Sequence, residues 1–249
     1  MAPAEDLPLP PSLPSLLRAR PVALFIDFDG TLVAIAEGPD GIDVPDELGG
    51  ALIALRDRLD GRLAIVSGRA TDDIQRHLGT LPIALAGSHG AACFDAAGRP
   101  MGATPRSIAP DTVEQWRDWA QSNGVNFEQK AHGAGFHYRS APDREDMLLR
   151  WAEETAEAHG LAVKRGKMVV ELTHPGADKG AAVRRFMGDA PFAECQPIFL
   201  GDDVTDEDGF LAVSELGGFG IAVGERASAS ARYHLVDVAA VHEWLELKV

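Results

Sequence analysis

Residues 22–27 read VALFID, apolar at every position except the last. A strand apolar on both faces has to be covered on both faces, and a parallel sheet between two layers of helix does that. The runs RLAIVS (62–67), IALA (83–86) and PIFLG (197–201) have the same character. Helical patterns over 46–59 and 70–78 lie between them. This alternation predicts an α/β fold built on a parallel sheet. With 249 residues, 45% of them apolar, the chain can build one large domain or a core carrying a smaller inserted one.

The middle of the chain has a different rhythm. DTVEQWRDWAQSNG (111–124) puts Val113, Trp116 and Ala120 on one helical face and stops at Gly124. VNFEQKAHG and GFHYRS then read as two strands joined around Gly133 to Gly135. A second helix over 142–160 starts near Pro142 and ends at Gly160, and LAVKRGKMVVEL (161–172) reads as a hairpin turning at Gly166. The expected organisation is therefore a loose, Pro-rich lead over 1–20, a core formed by 21–105 with 175–249, and an inserted α+β module at 106–174.

Charge and cysteine content narrow the partners. Lys plus Arg number 23 against 38 for Asp plus Glu, a net charge of −15. Such a surface repels nucleic acid and anionic membrane, so neither is expected as a partner. A phosphorylated substrate would need a metal ion or a few placed cations to draw it in. The two cysteines, Cys93 and Cys195, lack zinc-site spacing and read as packed thiols in a reducing cytoplasm. The N-terminus is acidic and broken by prolines, unlike a secretory signal, and no run approaches the ~20 apolar residues of a membrane span.

In open parallel sheets ligands bind beyond the carboxyl ends of the strands. Asp27 and Asp29 end the first apolar run, with Gly30 and Thr31 directly after. Ser67, Gly68 and Arg69 end the second; Asp202 and Asp203 end PIFLG, with Asp206 about a helical turn later. Lys179 sits in ADKGAAV, where a helix is expected to begin. Each type suits a phosphoryl group. A carboxylate can attack phosphorus, and a second can protonate the departing oxygen and later deprotonate water. Lys and Ser can hold the non-bridging oxygens. Crowded carboxylates stay ionised when Mg²⁺ compensates their repulsion. Other readings fit less well. Aligning Gly209 with the required glycine of a calcium loop puts Val204 at the first ligand position. No phosphate-cradling GxxxxGK[ST] or GxGxxG occurs, and Ser67 lacks the GxSxG setting of a hydrolase nucleophile. His89, in GSHG, reads as a loop residue rather than a base.

DFDGTL (27–32), VSGR (66–69), DKGAAV (178–183) and GDDVTDED (201–208), in that order, resemble the haloacid dehalogenase superfamily of Mg²⁺-dependent phosphatases. The pieces DGTLVAI…PD…VP (29–45), GSHG (87–90), EQK (128–130), HYR (137–139) and VVEL (169–172) make the chain similar to trehalose-6-phosphate phosphatases. The resemblance implies a Rossmann-like core with an inserted α+β cap. It implies Asp27 as nucleophile and, with Asp202 and the backbone carbonyl of Asp29, as ligand to Mg²⁺. It implies Asp29 as general acid and base, Ser67 and Lys179 on the phosphoryl oxygens with Thr31 nearby, and Asp203 and Asp206 supporting the metal, Asp206 less directly. Gly68 and Arg69 fall in the same substrate-facing stretch. In the cap, Glu128, Lys130 and Glu171 match the residues that contact sugar hydroxyls, and His137 and Arg139 stand on the neighbouring strand. The expectation is a cytoplasmic monomer that hydrolyses trehalose 6-phosphate. Sucrose-phosphate or mannosylglycerate-phosphate phosphatases, or a phosphomutase, would share its motifs, and a sugar-phosphate sensor would lack catalysis.

Overall fold

The computed structural model describes residues 7–35, 42–102, 108–130, 133–166 and 168–249. The PD at 39–40 and the residues joining the first two expected cap strands, 131–132, lie outside them, as do the first six residues of the expected lead. The chain divides into two compact units, Met1–Ala103 with Asp178–Val249, and Thr104–Ala177.

The first unit begins with α1 (Leu13–Ala19), β1 (Val22–Ile26), α2 (Leu48–Arg58), β2 (Leu63–Val66), α3 (Thr71–Leu78), β3 (Ala84–Gly87) and β4 (Ala92–Phe94). Residues 13–19, expected in a loose lead, are instead a helix with Leu13 fully buried in the core. Pro8 O accepts from His234 N and Pro11 O from Trp244 Nε1, so this stretch has backbone partners as well as an apolar anchor.

The second unit contains α4 (Pro110–Ser122), β5 (Asn126–Lys130), β6 (Gly133–His137), α5 (Glu145–His159), β7 (Ala162–Gly166) and β8 (Val169–Thr173). Its sheet, ordered β5-β6-β8-β7, is antiparallel throughout. Alternation splits its faces. Phe136, Val170 and Leu172 join Trp116, Ala120, Leu148 and Ala152 of the two helices in one core. The opposite face aligns Glu128, Gly135, Glu171 and Lys164 across the four strands.

The chain then returns to the first unit with α6 (Lys179–Met187), β9 (Gln196–Gly201), α7 (Glu207–Glu215), β10 (Phe219–Val223), β11 (Tyr233–Leu235) and α8 (Val238–Leu245). The seven strands are ordered β11-β10-β9-β1-β2-β3-β4, parallel except for β4. On β1 the two-sided burial is direct. Val22, Leu24 and Ile26 pack with Leu52 of α2, Ile74 of α3 and Val241 of α8. Ala23 and Phe25 pack with Phe186 of α6 and Phe210 of α7. Among the described residues no helix is long and apolar enough to cross a membrane.

Candidate active site

β9, β1 and β2 are neighbours in the sheet, so the groups beyond their carboxyl ends come together although they are far apart in sequence. Asp27 follows β1 and hydrogen-bonds its backbone N–H to Leu200 O on β9 at 2.9 Å, which fixes it where the strand stops. The chain then turns sharply. Gly30 has φ +80°, and a Cβ there would fall 2.2 Å from Asp202 Oδ2. Only glycine tolerates both that dihedral and that approach.

Lys179 opens α6, whose cap is the Asp178 side chain accepting from Ala181 N at 2.6 Å. From there its ammonium reaches Asp27 Oδ1 at 2.8 Å and Asp206 Oδ1 at 2.6 Å. Lys179, Asp27 and Asp206 are all buried. Asp206 Oδ2 accepts from Asp203 N at 2.9 Å. Burial lowers the Lys179 pKa, but the charges of Asp206 and Asp27 outweigh it and the net shift is upward, so the cation is retained. Burial raises the Asp27 carboxyl well above the usual carboxylate range; Asp206 and Asp202 add to the rise and Lys179 opposes it. Asp202 is raised to about 7, first by burial and then by repulsion from Asp206.

Asp27, Asp202 and Asp206 each offer a carboxylate oxygen, all within 4.8 Å of one another. Asp202 Oδ1 is buried with no hydrogen-bond partner among the described residues. Three hard oxygen donors, two of them on one lysine and the third with an orphaned buried carboxylate oxygen, fit a divalent cation. Asp206, expected to support a metal less directly, thus stands inside the cluster. Asp203 does not: its side chain is exposed and caps the 3-10 turn by accepting from the Asp206 backbone N–H, while its own N–H donates to the Asp206 carboxylate.

The Asp29 carboxylate is also outside the cluster. Arg69 grips it at two points, Nε to Oδ2 at 2.7 Å and Nη2 to Oδ1 at 2.9 Å, and donates Nη1 to Asp73 at 2.6 Å. Ser67, fully buried at the end of β2, accepts from Arg69 N at 3.1 Å. A Cβ on Gly68 would lie 2.6 Å from His89 Cε1, so the two signature loops touch there. Thr31 is buried, and its hydroxyl lacks a hydrogen-bond partner among the described residues.

On the polar face of the four-stranded sheet, His137 Nε2 lies 2.8 Å from Glu128 Oε2, and Lys130 donates to Glu171. The bond from His137 is the first cause holding the Glu128 carboxyl below its usual range. Gly135 lies between these pairs; a Cβ there would meet Glu128 Oε2 at 3.2 Å and Lys130 Cε at 3.5 Å. Arg139 lies in the turn beyond β6, exposed and off the sheet. Asp73 and Arg226 lie outside every motif, and Glu207, although inside GDDVTDED, has no role that the motif implies, so nothing in the sequence signalled them.

The fold and the strand-end chemistry define an enzyme of the phosphatase type with the haloacid dehalogenase fold. A solved haloacid dehalogenase-like hydrolase from Bacteroides thetaiotaomicron shares that fold at 15% identity, with a TM-score of 0.66 over 91% of this chain and 98% of the other. A trehalose-6-phosphate phosphatase related protein superposes with a TM-score of 0.71 at 28% identity, covering 90% of this chain and 95% of that one. The family model described as trehalose-phosphatase matches residues 25–238. The trehalose-6-phosphate phosphatase of Escherichia coli K12 is 39% identical over 228 residues, 90% of this chain and 85% of the relative. A probable trehalose-phosphate phosphatase of Sinorhizobium fredii is 40% identical over 84% of this chain and 80% of its own length. The chain belongs to the trehalose-phosphatase family.

Proposed function

We propose that the protein hydrolyses trehalose 6-phosphate to trehalose and inorganic phosphate, as a cytoplasmic monomer that uses Mg²⁺. The observation that carries the chemistry is the convergence of Asp27, Asp202 and Asp206 on one point beside Lys179. Family membership supports the substrate.

In the first half-reaction an Asp27 carboxylate oxygen bonds to phosphorus as the bond from phosphorus to the sugar oxygen breaks. Asp29 gives that oxygen its proton. In the second, Asp29 takes a proton from water as the water oxygen attacks phosphorus and the Asp27 carboxylate leaves. Both Asp29 oxygens are bonded to Arg69 in this structure, so donating a proton requires Asp29 to give up one of those bonds. Lys179 uses two of its three ammonium protons on Asp27 and Asp206, which leaves one for a phosphoryl oxygen. Ser67 and Thr31 supply hydroxyls to the same group, and Gly68 and Arg69 border it. Asp27, Asp202 and Asp206 would hold the Mg²⁺, which supplies positive charge against the carboxylates and the phosphoryl oxygens.

On the inserted unit, Glu128, Lys130, His137 and Glu171 form the face that reads sugar hydroxyls. Such paired charges suit a neutral polyol, because each can exchange an internal bond for one to a hydroxyl. Phosphate release from a panel of sugar phosphates, with Mg²⁺ and after chelation, tests the reading. Trehalose 6-phosphate should lead the panel and chelation should stop turnover. Preference for another sugar would overturn the substrate, and full activity after exhaustive chelation would overturn the metal.

A further inference from the structure

Outside the carboxylate cluster, one side chain ties the acidic loop to the next strand end. β10 turns at Gly224, φ +77°, and brings Arg226 up against the stretch that follows β9. Its guanidinium donates Nε to Asp202 O at 3.1 Å, Nη2 to Asp203 O at 3.0 Å and to Glu207 Oε1 at 2.7 Å, and Nη1 to Ala227 O at 2.9 Å. Glu207 in turn accepts from Ala229 N at 3.2 Å and Ser230 N at 3.0 Å through Oε2. The pair is mostly buried, with side-chain exposures of 30% for Arg226 and 19% for Glu207. The backbone of Asp202 and Asp203 is thereby pinned at two successive carbonyls from outside, while the Asp202 carboxylate points inward against Gly30.

We propose that Arg226 is a positioning residue for the divalent cation. It sets the backbone that aims Asp202, and Glu207 holds Arg226 in place. The inference rests on the metal reading given above. The fork geometry is what matters: a guanidinium spans two carbonyls and a carboxylate at fixed angles, whereas the single ammonium of lysine cannot. Partners of this kind behind metal ligands typically change metal affinity 10–100-fold.

The test is Mn²⁺ binding to the metal-free full chain, followed by electron paramagnetic resonance, for wild type, Arg226→Met, Arg226→Lys and Glu207→Gln. Circular dichroism reports whether each variant folds. The proposal expects Arg226→Met and Arg226→Lys to bind Mn²⁺ about 10–100-fold more weakly than wild type. Glu207→Gln should bind more weakly by a smaller factor. KM for the sugar phosphate at saturating Mg²⁺ should stay unchanged in all three. Should Arg226→Met fail to fold, Arg226→Lys and Glu207→Gln carry the test. Wild-type affinity in folded variants overturns the proposal and leaves the metal reading standing. Restoration by lysine overturns it too, because charge and not position would then be the cause. A wild-type protein that binds no Mn²⁺ would remove the metal reading itself, and this proposal with it.

Discussion

Replacing Asp202 by asparagine should stabilise the metal-free protein at neutral pH and flatten its pH dependence. The Asp202 carboxyl is raised from an ordinary 3.8 to about 7 in the folded chain, chiefly by burial and then by the charge of Asp206. Between those two pH values the folded state keeps a proton that the unfolded state has released. The associated stability is therefore fully present below 3.8 and is withdrawn as pH rises towards 7. One pH unit in this window is worth about 1.4 kcal/mol, so the whole rise withdraws about 4 kcal/mol, of which about 2 kcal/mol falls between pH 5 and 7 because the group is half titrated at its folded pKa. Asparagine keeps the shape and cannot ionise. Asp27, also raised, acts in the same direction; part of its rise comes from the Asp202 charge, so the substitution relieves that part too and adds to the separation. Urea unfolding in the presence of a chelator, followed by circular dichroism from pH 5 to 8, measures the difference. The two stability curves should separate by about 2 kcal/mol between pH 5 and 7, with the variant above the wild type at pH 7. Added Mg²⁺ should narrow the gap by stabilising the wild type more. Parallel curves would refute the claim that the Asp202 charge is held at a cost in the folded state.

Asp27→Asn should abolish turnover in a phosphate-release assay while leaving the fold intact by circular dichroism, because the amide cannot attack phosphorus. Lys179→Ala should lower stability by about 3–5 kcal/mol at neutral pH in urea titrations, since it strands the buried Asp27 and Asp206 carboxylates. Gly30→Ala should weaken Mn²⁺ binding, because the new Cβ would sit 2.2 Å from Asp202 Oδ2 at a φ of +80°; unchanged affinity would mean the turn relaxes freely. Lys130→Ala should raise KM for trehalose 6-phosphate far more than for a small aryl phosphate, whereas equal losses on both would argue against sugar reading.

What the amino-acid order determined by itself was local. Two-sided apolar runs at 22–27, 62–67, 83–86 and 197–201 specify covered strands, since burial on both faces leaves no polar alternation. Carboxylates and a hydroxyl directly after such runs fall at strand ends, where parallel sheets bind ligands. The change of rhythm after residue 106 was equally visible, because amphipathic helices and alternating strands carry their own periods. FGIAV at 219–223 is as apolar as β1, but no paired carboxylates or hydroxyl directly follow it to mark a strand end. Tertiary structure decided the rest. Only the order β9-β1-β2 shows that Asp27, Ser67 and Asp202 stand side by side. Only the tertiary structure shows that Asp203, still in extended backbone, turns its side chain to solvent, and that the 3-10 turn over Val204–Asp206 then carries the Asp206 carboxylate to Lys179. The docking of residues 8–19, and the reach of Arg226 to two carbonyls 24 and 23 positions earlier, depend on packing and long-range hydrogen bonds that leave no periodicity in the chain.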